Sequence, residues 1–257
     1  MTDREHILFG VDDSEERLVL SHMCDLYRKS EKTQKILYTR FMTPRQILLA
    51  KERFGGVADL EFGGGFDDAE RCMAAFVPND WEQTSFPLCG IDITNTGKRE
   101  LSHRDYLGAL LSLGITRDKI GDIVVTPKGA VAVVCTDIAD FIANNLTKVA
   151  SCGIKIEIVH DIAGLVIEKK FSDTSCTVSS MRLDCIVSGA TGKSRSQSVS
   201  LIAEGLVSVN YSQEKNVSHI VKNGDVVTIR GFGKMIVQTD LNLTKKGRIH
   251  INIRKYV

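Results

Sequence analysis

Between Leu88 and Val159 the chain changes hydrophobic period repeatedly, and this succession constrains the fold more than any other feature. Residues 88–93 have the apolar content of a strand. Residues 102–113 carry apolar side chains at helical spacing, opened by Ser102 and closed by Gly114. Residues 121–125 and 130–135 are strand-like and joined by Thr126-Pro127-Lys128-Gly129, a turn with Pro and Gly in it. Asp137 stands where it can cap a helix running to about Val149, and residues 154–159 alternate again. The predicted order is β-α-β-β-α-β, the split arrangement of ferredoxin-like and RNA-recognition folds. Such an order names an architecture, not an activity.

With its flanks, whose pattern changes at Pro87, the sequence predicts an α+β chain. Asp12-Asp13-Ser14 precede a periodic stretch with Leu18, Leu20, Met23, Leu26 and Tyr27. Thr43-Pro44-Arg45-Gln46 is a sharper helix start, a T-x-x-Q capping box with proline at the first helical position. Residues 57–62 alternate as a strand, Gly63-Gly64-Gly65 break it, and residues 71–77 form a second strand or a short helix. Farther on, the Ser/Thr-rich residues 171–180 make a strand or a linker. Residues 181–189 and 194–203 are two short helices, and residues 206–210 and 226–237 are strand-rich. In the tail, Ile249, Ile251 and Ile253 share one face, with His250, Asn252 and Arg254 on the other.

The net charge of +1 hides an asymmetry. Residues 181–257 hold 12 Lys+Arg against 5 Asp+Glu, whereas the rest of the chain holds 21 against 27. An acidic body with a basic C-terminal part suits a polyanionic partner for that part. The first ten residues lack the apolar core of a signal peptide, and no apolar run reaches the length of a membrane span. The seven cysteines form no C-x-x-C pair. A cytoplasmic protein with reduced thiols and no membrane association is expected.

The stretch GATGKSRSQS, residues 189–198, contains the Gly-Lys-Ser of a phosphate-binding loop. That loop needs a glycine where Val187 stands and a buried strand ahead of it, so nucleotide hydrolysis does not fit. Ser194-Arg195-Ser196-Gln197 is instead an S-x-x-Q capping box. It predicts a helix with Val199, Ile202 and Ala203 toward the core and Gly205 at its end. Lys193, Arg195, Ser196 and Ser198 then lie beside free backbone amides, a setting for a backbone phosphate. Upstream, Leu183 is expected in the core and Asp184 in a local salt bridge or cap. His103 and Arg104, with Lys98 and Arg99 nearby, make either a phosphate contact or a solvated helix start. The middle part has no clear pair of exposed aromatics on adjacent strands for base stacking. With no H-E-x-x-H, G-x-S-x-G or Cys-His pair of known spacing, no catalytic residue, metal ligand or cofactor is assigned.

Arg182-Leu183-Asp184, Ser194-Arg195-Ser196-Gln197, Ile202, Gly205-Leu206-Val207-Ser208-Val209-Asn210 and Gly224-Asp225 with Ile229-Arg230 resemble the RNA-binding domain named after ribosomal small-subunit protein four. The whole chain resembles the bacterial YlmH family. The supporting segments are Gly64-Gly65-Phe66, Ala69-Glu70-Arg71, Pro78, Ser102-His103-Arg104-Asp105-Tyr106-Leu107-Gly108-Ala109-Leu110, Ile120-Gly121-Asp122-Ile123 and Arg230-Gly231-Phe232-Gly233-Lys234. Cys72-Met73-Ala74 departs from the more basic stretch expected there. The resemblance implies three parts, 1–84, 85–165 and 166–257, the middle one RNA-recognition-like and the last a small basic RNA-binding domain, in a protein that binds structured rRNA or tRNA on the large ribosomal subunit in rescue of stalled translation, with a link to cell division. The expected RNA contacts are Arg182, Lys193, Ser194, Arg195, Ser196, Gln197 and Lys234; no DNA contact and no enzymatic activity is expected. The alternative is an RNA-modifying enzyme that recruits its substrate through the C-terminal part. It would need an acid, base or cofactor pocket in the first two parts, and the sequence shows no such constellation.

Overall fold

In the computed structural model, which describes residues 3–78, 84–163, 171–239 and 247–256, the chain divides into two units, Met1–Ile167 and Glu168–Val257. The boundary expected at 165/166 and the last residue of the expected tail strand, Val257, lie outside the described residues.

The first unit starts with α1 (Asp3–Leu8), α2 (Ser14–Thr33), β1 (Leu37–Tyr38), α3 (Pro44–Phe54), β2 (Leu60–Gly63) and β3 (Met73–Phe76). Asp13 caps α2 by accepting from Glu16 N at 2.8 Å. Thr43 and Gln46 close a reciprocal capping box on α3, with Pro44 in its first turn. The strands pair antiparallel in the order β1-β3-β2, and β3 is buried along its whole length. Residues 73–76 are thus a strand, not a helix. Met73 and Ala74, part of the less basic stretch, are core residues with no surface to offer RNA.

The unit continues with β4 (Leu88–Asn95), α4 (His103–Ser112), β5 (Ile120–Thr126), β6 (Gly129–Cys135), α5 (Ala139–Asn145), β7 (Lys148–Val149) and β8 (Cys152–Val159). The antiparallel sheet runs β5-β6-β4-β8-β7. Ser102 forms a capping box with Asp105 at the start of α4. Asp137 does not cap α5. A single 3₁₀ turn precedes that helix, and the Asp137 carboxylate pairs instead with Arg40 and Lys119, both at 3.2 Å. Two cations hold the carboxylate away from the helix amides. The helix also stops short of Val149, because Lys148 and Val149 turn back to pair with Gly153 and Cys152.

Two segments that carry the family resemblance meet in this unit. Asp122 accepts from the backbone N–H groups of Glu70 and Arg71. The Arg71 guanidinium donates to the carbonyls of Ile120, Phe41 and Arg117. Burial lowers the Arg71 pKa and raises that of Asp122. Burial, with Arg71 alongside, lowers that of Arg117 to about 10.

The second unit comprises β9 (Phe171–Val178), α6 (Leu183–Thr191), α7 (Arg195–Ala203), β10 (Val207–Val209), β11 (Ser212–Gln213), β12 (Val226–Ile229), β13 (Gly233–Gln238) and β14 (Ile249–Tyr256). These strands form one antiparallel sheet in the order β11-β10-β12-β13-β14-β9. The Ser/Thr-rich segment is a strand, paired with β14 at all eight positions. Ile251, Ile253, Val237 and Met235 share a core with Leu183, Ile186 and Ile202 of the helices. On α7 the core residues are Ile202 and Ser198, while Ala203 is exposed and Val199 half-buried. The Ser198 hydroxyl donates to the Ser194 carbonyl at 3.0 Å, so this polar side chain is buried with its donor satisfied. No described helix is long and apolar enough to cross a membrane.

Candidate nucleic-acid interface

The basic half of the second unit is organised around a buried acid. Asp184, in the first turn of α6, is 1% exposed. Arg182 donates to it through Nε (3.0 Å) and one terminal nitrogen (3.2 Å), and Arg195 donates through Nε at 2.8 Å. The backbone N–H of Cys185 adds a fourth bond. Burial works against the ionised carboxylate, but the two guanidiniums prevail and hold its pKa at about 2. Two cations share one anion, so the cluster keeps a net positive charge.

The residues between the helices set this geometry. Gly192 adopts a left-handed conformation (φ 68°) that ends α6 and reverses the chain. Ser194 then opens α7: its hydroxyl accepts from Gln197 N at 3.3 Å, and Ser194 N donates to the Gln197 side-chain oxygen at 3.1 Å. This places Arg195 in the first turn, facing back to Asp184. Arg195 commits only Nε to the carboxylate. Its side chain is 61% exposed, and its terminal NH₂ groups make no hydrogen bond to described residues. Those groups have the planar fork that suits a phosphate.

A cavity of about 180 Å³ lies beside this guanidinium, lined among others by Arg195, Arg248, Thr177, Ser179, Ser188 and Gly189. Arg248 donates to the Thr177 carbonyl at 2.6 Å. Gly189 keeps α6 close to β9, since a Cβ there would lie 2.8 Å from Cys176 Sγ. The cavity thus combines two guanidiniums with hydroxyls and no carboxylate among its described lining.

The site residues expected from the sequence fall into three groups. Arg182 and Arg195 converge on Asp184, and the exposed Ser196 sits beside Ser194, their hydroxyls 3.0 Å apart. Ser194 and Gln197 are occupied by the capping box, which leaves the Gln197 amide nitrogen available to a ligand. Lys193 is half-buried with Nζ 5.5 Å above the Phe232 ring. Lys234 is not with the others. Its neighbour Met235 is in the core, so Lys234 projects from the opposite sheet face, over Tyr256 (4.4 Å) and Tyr211 (5.1 Å). Sequence reasoning missed Arg248, whose approach to the site depends on the long-range pairing of β14 with β9. Among the described residues no group of His, Cys, Asp and Glu is placed to hold a metal ion.

Residues 82–161 match the family model described as "Putative RNA-binding domain in YlmH". Over 248 residues the chain is 31% identical to the ribosome-associated protein quality control protein P2 of Bacillus subtilis (strain 168), covering 94% of this chain and 95% of that protein. The chain belongs to the YlmH family. It is also similar to a solved structure, the cell division protein ylmH from Streptococcus pneumoniae, at 21% identity and a TM-score of 0.49, covering 58% of this chain and 94% of that one. The YlmH family model falls on the β4–β8 body, whereas the basic cluster around Asp184 lies in the second unit.

Proposed function

We propose that this protein binds structured RNA on the ribosome, as rRNA, tRNA or both, and acts in quality control of stalled translation on the large subunit. The observation that carries the reading is the outward fork of Arg195, held by a buried carboxylate at the start of a capped helix beside a cavity that also holds Arg248. A cation fixed by its own anion is pre-organised for phosphate and loses little freedom on binding. The ribosome-associated name of the B. subtilis relative supports the cellular setting. In this reading the second unit is a domain of the ribosomal-protein-four type. The chain is organised as 1–84, 85–165 and 166–257, works in the cytoplasm, and catalyses nothing.

Sedimentation of cell extracts tests the proposal. The wild-type chain co-migrates with large subunits, and the Lys193→Ala/Arg195→Ala variant shifts to the unbound fractions. Equal ribosome association of the two chains contradicts the reading. Mass spectrometry of rRNA and tRNA from cells lacking the protein is expected to find every modified nucleotide in place; a missing one restores the enzyme alternative.

A further inference from the structure

Resting on the reading of the chain as an RNA-binding protein, we propose that the β4–β8 body grips an RNA backbone phosphate in a cavity at one end of its sheet, and not on its sheet face. The face is poorly suited to RNA. β6 is buried at all seven positions. Ile162 covers Gly90 closely, and a Cβ on Gly65 would meet both Ile162 and Val133. Farther along the same face, Asp92 stands directly opposite Glu157 on the neighbouring strand, and among the described residues only Lys155, two positions along β8, offsets these two carboxylates.

The sheet end is built differently. A cavity of about 580 Å³ opens between the residues that follow β4 and the β5–β6 hairpin. Lys98 and Arg99 enter it from the first segment and Lys128 from the second, against one carboxylate, Glu100, among its described lining. Arg99 is loosely paired with Asp105 at 3.5 Å. Lys98 and Lys128 have no ion-pair partner among the described residues. A backbone bond pins the two segments together, Asn95 N donating to the Lys128 carbonyl at 2.9 Å, and within the first segment the Asn95 side chain donates to the Arg99 carbonyl at 2.8 Å. The cations are therefore presented on anchored turns.

Tyr106 also lines the cavity. Its ring is buried, while its hydroxyl makes no hydrogen bond to a described residue and is left for solvent or a ligand. A phosphate oxygen held by Lys98 and Lys128 would accept that proton. The ligand class is a phosphodiester, contacted without reading the base.

The test uses the full chain, a fluorescein-labelled RNA hairpin and anisotropy over a range of salt concentrations. Lys98→Ala/Lys128→Ala together lower the slope of log affinity against log salt by about 0.7–0.9, the value for the one phosphate they share. Tyr106→Phe, which keeps the buried ring, weakens binding several-fold with little change in slope or melting temperature. Lys29→Ala/Lys32→Ala on α2 leaves the slope unchanged. If wild-type binding is intact and the Lys98/Lys128 variant keeps the full slope, this site is wrong and the functional reading stands. If the wild-type chain binds no RNA, both fail. If a free mononucleotide binds through Lys98 and Lys128 while RNA affinity ignores them, the phosphodiester assignment is overturned.

Discussion

Arg195 Nε lies 2.8 Å from Asp184 Oδ2 across the Gly192 turn, joining the start of α7 to the start of α6. Arg182 holds the other side of the same carboxylate. The acid therefore sets the aim of both guanidiniums, and its ionisation is tied to folding of the second unit. Its folded pKa, about 2, lies below the usual 3.8. The stabilisation is present above about pH 4 and is lost as pH falls through about 2. Amide exchange over residues 183–203 is expected to accelerate in that window. Asp184→Asn is expected to lower stability at neutral pH by about 1.5–3 kcal/mol and to flatten the acid dependence. An unchanged dependence in the variant would assign the acid sensitivity to other carboxylates.

Ser194 opens the helix that carries Arg195, so its loss acts on both stability and binding. Ser194→Ala is expected to cost about 1 kcal/mol and to weaken RNA binding, because the fork of Arg195 is then presented by a fraying turn. Thr43→Ala removes the equivalent cap of α3 and is expected to cost a similar amount with no effect on RNA. Chemical denaturation and anisotropy on the two variants separate these effects.

At Gly129 the backbone of β4 comes very close to the β6 strand. A Cβ there would lie 1.9 Å from the Ile93 carbonyl oxygen and 3.0 Å from Thr94 Cα. Neither is a flexible side-chain tip, so the strands must part. Gly129→Ala is expected to destabilise the first unit by about 3 kcal/mol, the upper range for overpacking, read as a lower denaturant midpoint. A neutral substitution would mean that the β4–β6 edge adjusts freely.

The local signals were legible in the sequence, and the long-range ones were not. Thr43 with Gln46, Ser102 and Ser194 with Gln197 all cap as their spacing predicts, because a capping box is decided within four residues. The four long strands and two helices between Leu88 and Val159 were readable for the same reason, but the two-residue β7, read as the end of a helix, was not. Asp137 misled because its cations, Arg40 and Lys119, are remote in sequence and nothing local announces them. Ala203 and Ser198 were exchanged in the expected burial of α7, since helical spacing ranks apolarity and cannot foresee a serine satisfied by its own helix. The pairing of Arg195 with Asp184 spans eleven positions and a left-handed turn, a separation that no helical or strand period encodes.

The central claim is that the Lys193–Arg195 turn meets an RNA backbone, and salt dependence tests it most directly. Log affinity for RNA, measured against log salt concentration, should lose about 0.7–0.9 of its slope for each of Lys193→Ala and Arg195→Ala, with both variants still folded by thermal melting. RNA affinity and slope unchanged in both variants would contradict the account.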